Sequence, residues 1–563
     1  MAEVTKTFGS YSINGDRVSP ECLLQADLIA WDTETTGTKI TRDRMHGVAV
    51  CIDDHHAYWF PVGHPAIPLL TDKLAIAHNA KFDIMMMAKA GTPVSHVPLD
   101  TIIAAHMIGR PAHDLKYLSM IDLGLDHVDY TDIGKSFDNF GLDDMAKFSG
   151  LHAIHTLLLW KKYERKLKTL GSYDLFMNTE MPLVPILARM EMAGVAVDKD
   201  KIAELGKYFE GKQAELVEHL NTLTVRKGIN YNSPQQVAPI LFEDLKIPVE
   251  RRTKKEGRPS VDARQLEKYR DKYPFVDVYL QYKAYSTLIN SYSDSLLKEI
   301  YDGRIYCNFN QTGTETGRLS SSGPNLQKIP KRTEEGKKIR TAFIAPPGFM
   351  LVKVDASQLE FRMGGVCSED PAIISAYLSG RDIHDETARR VFGSSSKRRE
   401  AKNLNFQMLY GGGKGPEVTK FKQTYVGYQR WVDMIQRFVR SEGYVKTLGG
   451  RIRVIGDAQE ASGYMYKHMM NEAVNTIVQG SSAEVVKRAM ARADKAISGS
   501  GAFLVLQVHD EMVYQVPIRA LRDVVVALSE ALPSKEFIIP ITFEFEIGKN
   551  WGEMTVIKPE EFR

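Results

Sequence analysis

Apolar positions in the first 165 or so residues come in short runs broken by polar turns. The run ADLIAWDTETTG at 26–37 reads as a strand entering a Gly-ended turn. LAIAHNAKFDIMMMAKAG at 74–91 reads as a strand followed by a helix that Gly91 closes. This alternation predicts an α/β unit. From about residue 174 the period lengthens to that of long helices, as in MPLVPILARMEMAG and DKDKIAELGKYFEGKQAELVEHLNTL. Strands are predicted again over 340–354 (RTAFIAPPGFMLVKV) and 503–516 (FLVLQVHDEMVYQV), with a helical block between them. No internal repeat or low-complexity tract interrupts this order.

The last strand poses a problem, because His509, Asp510 and Glu511 stand in the middle of an apolar run. A buried carboxylate with neither a partner nor a cation costs many kcal/mol. Either these carboxylates lie at a strand end, in solvent or against an Arg, or they serve a bound cation.

Composition narrows the choice. A chain of 563 residues, 43% hydrophobic and 25% charged, can build several cores. Its 73 basic and 70 acidic residues leave a net charge of +3, which excludes a polycation but not a local basic cleft. VERRTKKEGRPS at 249–260, with Arg251, Arg252, Lys254, Lys255 and Arg258, suits a solvated loop or a hairpin tip that touches a phosphate backbone. Cys22, Cys51, Cys307 and Cys367 form no CxxC pair, which argues against a zinc site or a disulfide framework and for a reducing compartment. The N-terminus has no apolar signal segment, and no run approaches a membrane span. A soluble, cytoplasmic protein without membrane contact is expected.

Two constellations carry candidate chemistry. In LVKVDASQLEFRM at 351–363 an apolar strand ends on Asp355, as the later strand meets Asp510. Side by side, the two strands would place two carboxylates at one point. That is the requirement for two Mg²⁺ ions about 3.5–4 Å apart in an in-line phosphoryl transfer. Between them, Arg398, Lys402, Phe406 and Tyr410 recur every four residues along one helix, which Gly411–Gly413 ends. Two cations followed by two aromatics make a nucleotide-binding face, unless the aromatics simply face the core.

Together these segments resemble the family A DNA polymerases, the Klenow-type large fragment of bacterial DNA polymerase I. TGTETGRLSSSGPNLQKIPKRTEEGKKIRTAF at 312–343 is similar to the primer-template segment, VDASQLEFR to the first catalytic motif and RREAKNLNFQMLYG to the nucleotide-binding finger helix. QVHDE is similar to the last catalytic motif, NEAVNTIVQGSSAEVVKRAM at 471–490 to the template-contacting segment, and INYNSPQQVAPILFEDLKIP at 229–248 to the thumb. The resemblance implies two Mg²⁺ ions on Asp355 and Asp510, with Glu511 and His509 supporting the primer end. It implies a triphosphate on Arg398 and Lys402, a sugar and base pocket shaped by Phe406 and Tyr410, and Glu360 excluding a 2′-hydroxyl. Arg318, Gln479 and Asn475 would contact DNA. The implied partners are primer-template DNA and dNTPs, bound by a monomer.

The N-terminal region resembles the family's DEDD-type 3′–5′ exonuclease. WDTETTG supplies Asp32 and Glu34 on one strand face, and HNAKFD supplies Asn79 and Asp83. The third motif departs from the pattern, with Phe148 where a Tyr belongs and His152 where an Asp belongs. Neither His152 nor His155 has the Asp five residues on that a histidine-type variant needs. Proofreading is therefore expected to be weakened or lost, unless Asp143 or Asp144 supplies the fourth carboxylate.

The implied architecture is an α/β multidomain chain, an RNase H-like exonuclease followed by a right-hand polymerase. The expected divisions are 1–170 exonuclease-like, 171–300 thumb with the start of the polymerase, 301–365 palm, 366–495 fingers and adjoining helices, and 496–563 the rest of the palm. The chain starts almost at the exonuclease, so the family's 5′-nuclease domain is expected to be absent, a compact form common in phage replication. Two rivals remain: a stand-alone DEDD nuclease with a nucleic-acid-binding appendage, and a non-catalytic DNA-binding scaffold. The first conflicts with intact polymerase motifs beside a defective third exonuclease motif, the second with Asp355, Lys402 and Asp510 kept together. Single-subunit RNA polymerases share a similar palm, but Gln358-Leu359-Glu360 fits the DNA enzymes.

Overall fold

Leu28, Ile29, Ala30 and Trp31 put apolar side chains on both faces of the first half of β3 (Leu28–Thr35), a strand that other elements cover almost throughout. The structure is a computed structural model that describes residues 25–126, 145–253, 257–331, 333–458 and 460–563 in full, and the backbone alone at 2–6, 9–13 and 142–144. In the N-terminal sheet β3 is joined by β1 (Ala2–Lys6), β2 (Gly9–Ile13), β4 (Met45–Cys51), β5 (His56–Pro61), β6 (Leu74–Ala77) and β7 (Leu99–Asp100). The strand order is β1-β2-β5-β4-β3-β6-β7, with β3 antiparallel to β4 and parallel to β6. Helix α1 (Ala80–Lys89) follows β6 directly, and α2 (Thr101–Met107) follows β7. Helix α3 (Leu142–Leu170) packs across β3, β4 and β5. Their apolar faces form one core, a second fills the C-terminal two thirds, and a smaller third lies between 220 and 282.

Past residue 174 the chain is helical, as its periodicity predicts. Helix α4 (Lys199–Thr222) starts where Asp198 accepts the Lys201 amide. Arg251, Arg252 and Arg258 are exposed, as a solvated loop requires, while Lys254 and Lys255 lie outside the described residues. Helix α8 (Gly463–Ala496) runs through the centre of the C-terminal part and is buried nearly all round between Ala473 and Met490.

Two predicted strands need correction. The stretch 340–354 is not one strand: helix α5 (Glu334–Thr341) ends inside it and the strand proper, β8 (Phe349–Ala356), begins only at Phe349. Thr333 caps the Gly336 amide, Glu334 and Glu335 suit the positive start of α5, and Pro346 and Pro347 cannot donate to a ladder. The stretch 503–516 is a hairpin of β9 (Phe503–Val508) and β10 (Glu511–Pro517). Its two-residue turn is His509–Asp510, with His509 at φ +59°. Asp510 therefore sits half-buried on a turn rather than in mid-strand, and Glu511 is the deeply buried carboxylate, 1% exposed.

With β8 (Phe349–Ala356), β11 (Phe543–Gly548) and β12 (Thr555–Ile557), this hairpin builds a second sheet in the order β9-β10-β8-β11-β12. All its pairings are antiparallel. Three elements line its cleft: α6 (Leu359–Ser368), α7 (Arg398–Leu409) and α8. Among the described residues, no helix is long and apolar enough to cross a membrane.

One buried ion pair ties the two parts together, and a second cluster braces the C-terminal part. Lys81 of α1 reaches Glu191 at 2.5 Å and also donates to the Phe309 carbonyl. Glu180 accepts Lys487 of α8 at 2.7 and 2.9 Å, Gln311 at 2.8 Å, and Arg451. Burial alone would raise the Glu180 carboxyl, but Lys487 and Arg451 outweigh it and hold the group at about 2. Because this lies below the ordinary value of 4.5, the stabilisation is complete above that pH and drains away as pH falls toward 2. Glu180→Gln should flatten this acid limb and, by stranding buried cations, cost about 3–5 kcal/mol near neutral pH. Urea unfolding at several pH values measures both effects.

Candidate active sites

The first site is set by strand register. Asp355 pairs with Glu511 across β8 and β10, and Val508 flanks Glu511 on the other side. The Asp510 carbonyl accepts the Ala356 amide at 3.1 Å, which holds the hairpin turn beside the end of β8. The structure thus brings Asp355 and Asp510 together at the mouth of the cleft. Burial, and then the charge of Asp355, push the Asp510 carboxyl up to about 6. A hard, oxygen-rich pair in which the charge of Asp355 opposes ionisation of Asp510 fits a divalent cation.

Glu511 is engaged differently. Its Oε1 accepts the Trp551 indole at 2.5 Å, with Arg340 at 3.5 Å, and its Oε2 lies 3.1 Å from Lys331. Burial works to raise its carboxyl, but Lys331, Lys353 and Arg340 hold it below the usual range. Glu511 is thus an anchored anion behind the Asp355–Asp510 pair. Lys331, which sequence reasoning missed, also lies 3.0 Å from Asp355 Oδ2. It comes from the loop before α5, where no periodic signal points.

Past Asp355 the chain turns sharply. Gln358, left-handed at φ +52°, begins α6 and bonds Asp382 at 3.0 Å and Tyr377 at 3.0 Å. This brings Glu360 into the cleft, where it accepts Arg318 and, at 2.5 Å, the Tyr410 hydroxyl. Arg318 reaches that point because Gly480 lets its segment lie against α8: a Cβ there would stand 3.1 Å from the Thr316 carbonyl oxygen and 2.5 Å from Thr447. Asn475 and Gln479 lie half-buried on the same helix, and His509 is exposed on the turn.

The stripe on α7 faces the cleft rather than the core. Arg398, Lys402 and Tyr410 are exposed, whereas Phe406 is half-buried and stacks on Tyr410 at 6.5 Å. Arg398 pairs with Asp382 at 2.8 Å and Asp385 at 3.3 Å. His384, also absent from the sequence reading, is buried beside them and bonded to Asn405 at 2.8 Å. Burial, then the nearby Arg398 and Lys402 against Asp382, bring its imidazole to about 4, so it is neutral at pH 7. Its place in DIHDE, just ahead of the basic helix, was the available signal.

The second site lies on β3 and α3. Ligand atoms of Asp32, Glu34 and His152 fall within 4.8 Å of one another, with His152 Nδ1 3.4 Å from Asp32 Oδ2. Ser149 donates to Glu34 at 3.0 Å. Phe148 is buried with its ring 4.1 Å from that of His152, so no hydroxyl reaches the cluster from this position. Asp83 is buried and turned to β3, its Oδ1 accepting the Thr33 amide at 3.0 Å and hydroxyl at 2.7 Å. Burial and the Asp32 charge keep its carboxyl well above the usual range. Asn79, at φ +78°, only starts α1, and His155 bonds Ser119 at 3.0 Å. The side chains of Asp143 and Asp144 lie outside the described residues. Asp32, Glu34 and His152 can ligate one cation, but as a two-Mg²⁺ site the set is a carboxylate short.

Comparison with known proteins agrees with this two-part geometry. Residues 199–416 and 417–553 match DNA polymerase family A, and residues 20–168 match a 3′–5′ exonuclease family. The chain belongs to DNA polymerase family A, with an exonuclease-type domain ahead of the polymerase domain. It is 34% identical to DNA polymerase I of Chloroflexus aurantiacus, over 95% of this chain and 62% of that protein. It is 31% identical to DNA polymerase I of Pseudomonas aeruginosa, over 94% and 64% respectively. The chain thus spans about three fifths of the length of these curated relatives. A solved structure, the POL domain of Pol1 from M. smegmatis in complex with DNA primer-template and dNTP, superposes with a TM-score of 0.85 at 25% identity. That match covers 94% of this chain and 97% of the other.

If Glu511 is the anchored anion described, Trp551→Phe removes its indole donor and should lower stability by about 1–3 kcal/mol. Denaturant unfolding of the full chain measures the loss, and an unchanged midpoint would refute the anchor.

Proposed function

We propose that the chain is a DNA-templated DNA polymerase that adds dNTPs to a primer 3′ end, acting as a monomer on primer-template DNA. The observation that carries this reading is the meeting of Asp355 and Asp510 beside the Arg398–Tyr410 stripe. Two Mg²⁺ ions bound there would supply the Lewis acidity for in-line phosphoryl transfer. Asp355 and Asp510 hold them, and Glu511 fixes the hairpin behind. Arg398 and Lys402 take the triphosphate, with Arg398 exchanging Asp382 and Asp385 for phosphate oxygens. Phe406 and Tyr410 bound the sugar and base, and Glu360, held by Arg318 and Tyr410, excludes a 2′-hydroxyl. Arg318, Gln479, Asn475 and His509 contact the duplex.

We divide the chain into an exonuclease-like domain at 1–170, a thumb with the start of the polymerase at 171–300, palm at 301–365 and 496–563, and fingers with adjoining helices at 366–495. In the N-terminal domain Asp32, Glu34 and His152 hold at most one cation well, so 3′–5′ degradation is slow. His152 in place of a carboxylate lowers the negative charge of the site, and Phe148 cannot position a water.

Asp355→Ala or Asp510→Ala should abolish primer extension while binding of primed DNA persists. Near wild-type extension by either variant would sink the assignment. In the N-terminal domain, Phe148→Tyr with His152→Asp should speed digestion of a 3′-mismatched primer in Mg²⁺ without dNTPs by about 10²–10⁴-fold. Rapid digestion by the natural sequence, with no gain from the double change, would refute the weakened-site reading.

A further inference from the structure

The Lys331 ammonium occupies the position that a cation on Asp355 would need. It stands 3.0 Å from Asp355 Oδ2 and 3.1 Å from Glu511 Oε2, so it bridges the ends of β8 and β10 that the register brings together. Its charge also acts on Asp510. One lysine therefore serves all three carboxylates of the cleft mouth. Its side chain is 54% exposed and hangs from a loop, between the Ile329–Pro330 stretch and the Thr333 cap of α5. Among the described residues its ammonium bonds only Asp355 and Glu511, whereas Trp551 and Arg340 hold Glu511 from within the fold. A strongly held but exposed cation, on a mobile type of side chain, is built to be exchanged.

We propose that Lys331 is a displaceable counter-ion, which neutralises Asp355 and its neighbours in the metal-free protein and must leave when a divalent cation takes the same carboxylate. An Mg²⁺ ligand distance of about 2.0–2.1 Å on Asp355 leaves no room for an ammonium on the same oxygen without strong like-charge repulsion. The lysine therefore lowers divalent affinity at this site and keeps carboxylate repulsion from splaying the ends of β8 and β10 before metal and nucleotide arrive. The exchange links metal entry to release of the loop that precedes α5. This inference rests on the reading of Asp355 and Asp510 as metal ligands.

The test uses the full chain with Asp32→Ala and Glu34→Ala, so that Mn²⁺ at the N-terminal site does not contribute. Mn²⁺ binding is titrated by electron paramagnetic resonance in this background, then with Lys331→Met, Lys331→Arg or Asp355→Ala added. Lys331→Met should tighten Mn²⁺ binding about tenfold or more, Lys331→Arg should stay close to the background, and Asp355→Ala should lose the site. Mn²⁺ binding that survives Asp355→Ala undamaged would overturn the metal reading itself. Loss of binding in Asp355→Ala, with unchanged or weaker binding in Lys331→Met, would overturn the counter-ion role alone. Thermal unfolding in EDTA and in Mn²⁺ gives a second readout that holds even if Lys331→Met folds poorly. That variant should lose stability in EDTA and gain more from Mn²⁺ than the Lys331 protein does. A destabilised variant that Mn²⁺ fails to restore would mean Lys331 is an ordinary structural salt bridge.

Discussion

The pairing of β8 with β10 is the constraint on which the polymerase cleft depends. Seven consecutive partners, from Phe349↔Pro517 to Asp355↔Glu511, fix where the chain delivers its carboxylates. A strand's side-chain period is two, so a slip of one residue would send Asp355 into the core face and a core valine into the cleft. The core side of both strands prevents this, because Val352, Val354, Met512 and Val516 are fully buried. Packing on the apolar face of the two strands thus sets the separation of the charges on the other. The two-residue turn at His509–Asp510 completes the device, since its left-handed first residue lets the hairpin close directly after Val508.

A second theme is that the acids of the cleft carry resident cations. Glu360 has Arg318, Asp382 has Arg398, and Asp355 with Glu511 has Lys331. These pairs are partly exposed, so they exchange readily. They differ from the Glu180 cluster with Lys487 and Arg451, where both signs are buried and the pairing is permanent. The same chemistry therefore serves as mortar in one place and as a reserved seat in another.

How much of this was legible in the sequence follows from how each feature is encoded. The α7 stripe was readable because a four-residue recurrence is a helix face, although periodicity alone could not say whether it faces core or cleft. Asp355 and Asp510 were readable because carboxylates interrupt apolar runs. The hairpin at 509–510 was not, since both its strands are buried on both faces and no Gly or Asn marks the turn between them. Lys331 was invisible for another reason, since its meaning comes from the long-range contacts of a loop, and His384 had only its place in DIHDE to signal it. The turning of Asp83 toward Thr33 is likewise a side-chain choice that no spacing predicts.

The buried bridge between Lys81 and Glu191 bears on the modularity of the chain. Lys81 is two residues from Asp83 in α1, yet its ammonium is held by Glu191 and by the Phe309 carbonyl of the polymerase part. Separating the two domains would leave a lysine and a glutamate facing water across a freshly exposed apolar seam. The N-terminal domain is therefore a buttress whatever its own chemistry. A lineage in which nuclease function fades would still retain the domain's framework, because selection for polymerase stability acts on it independently of catalysis.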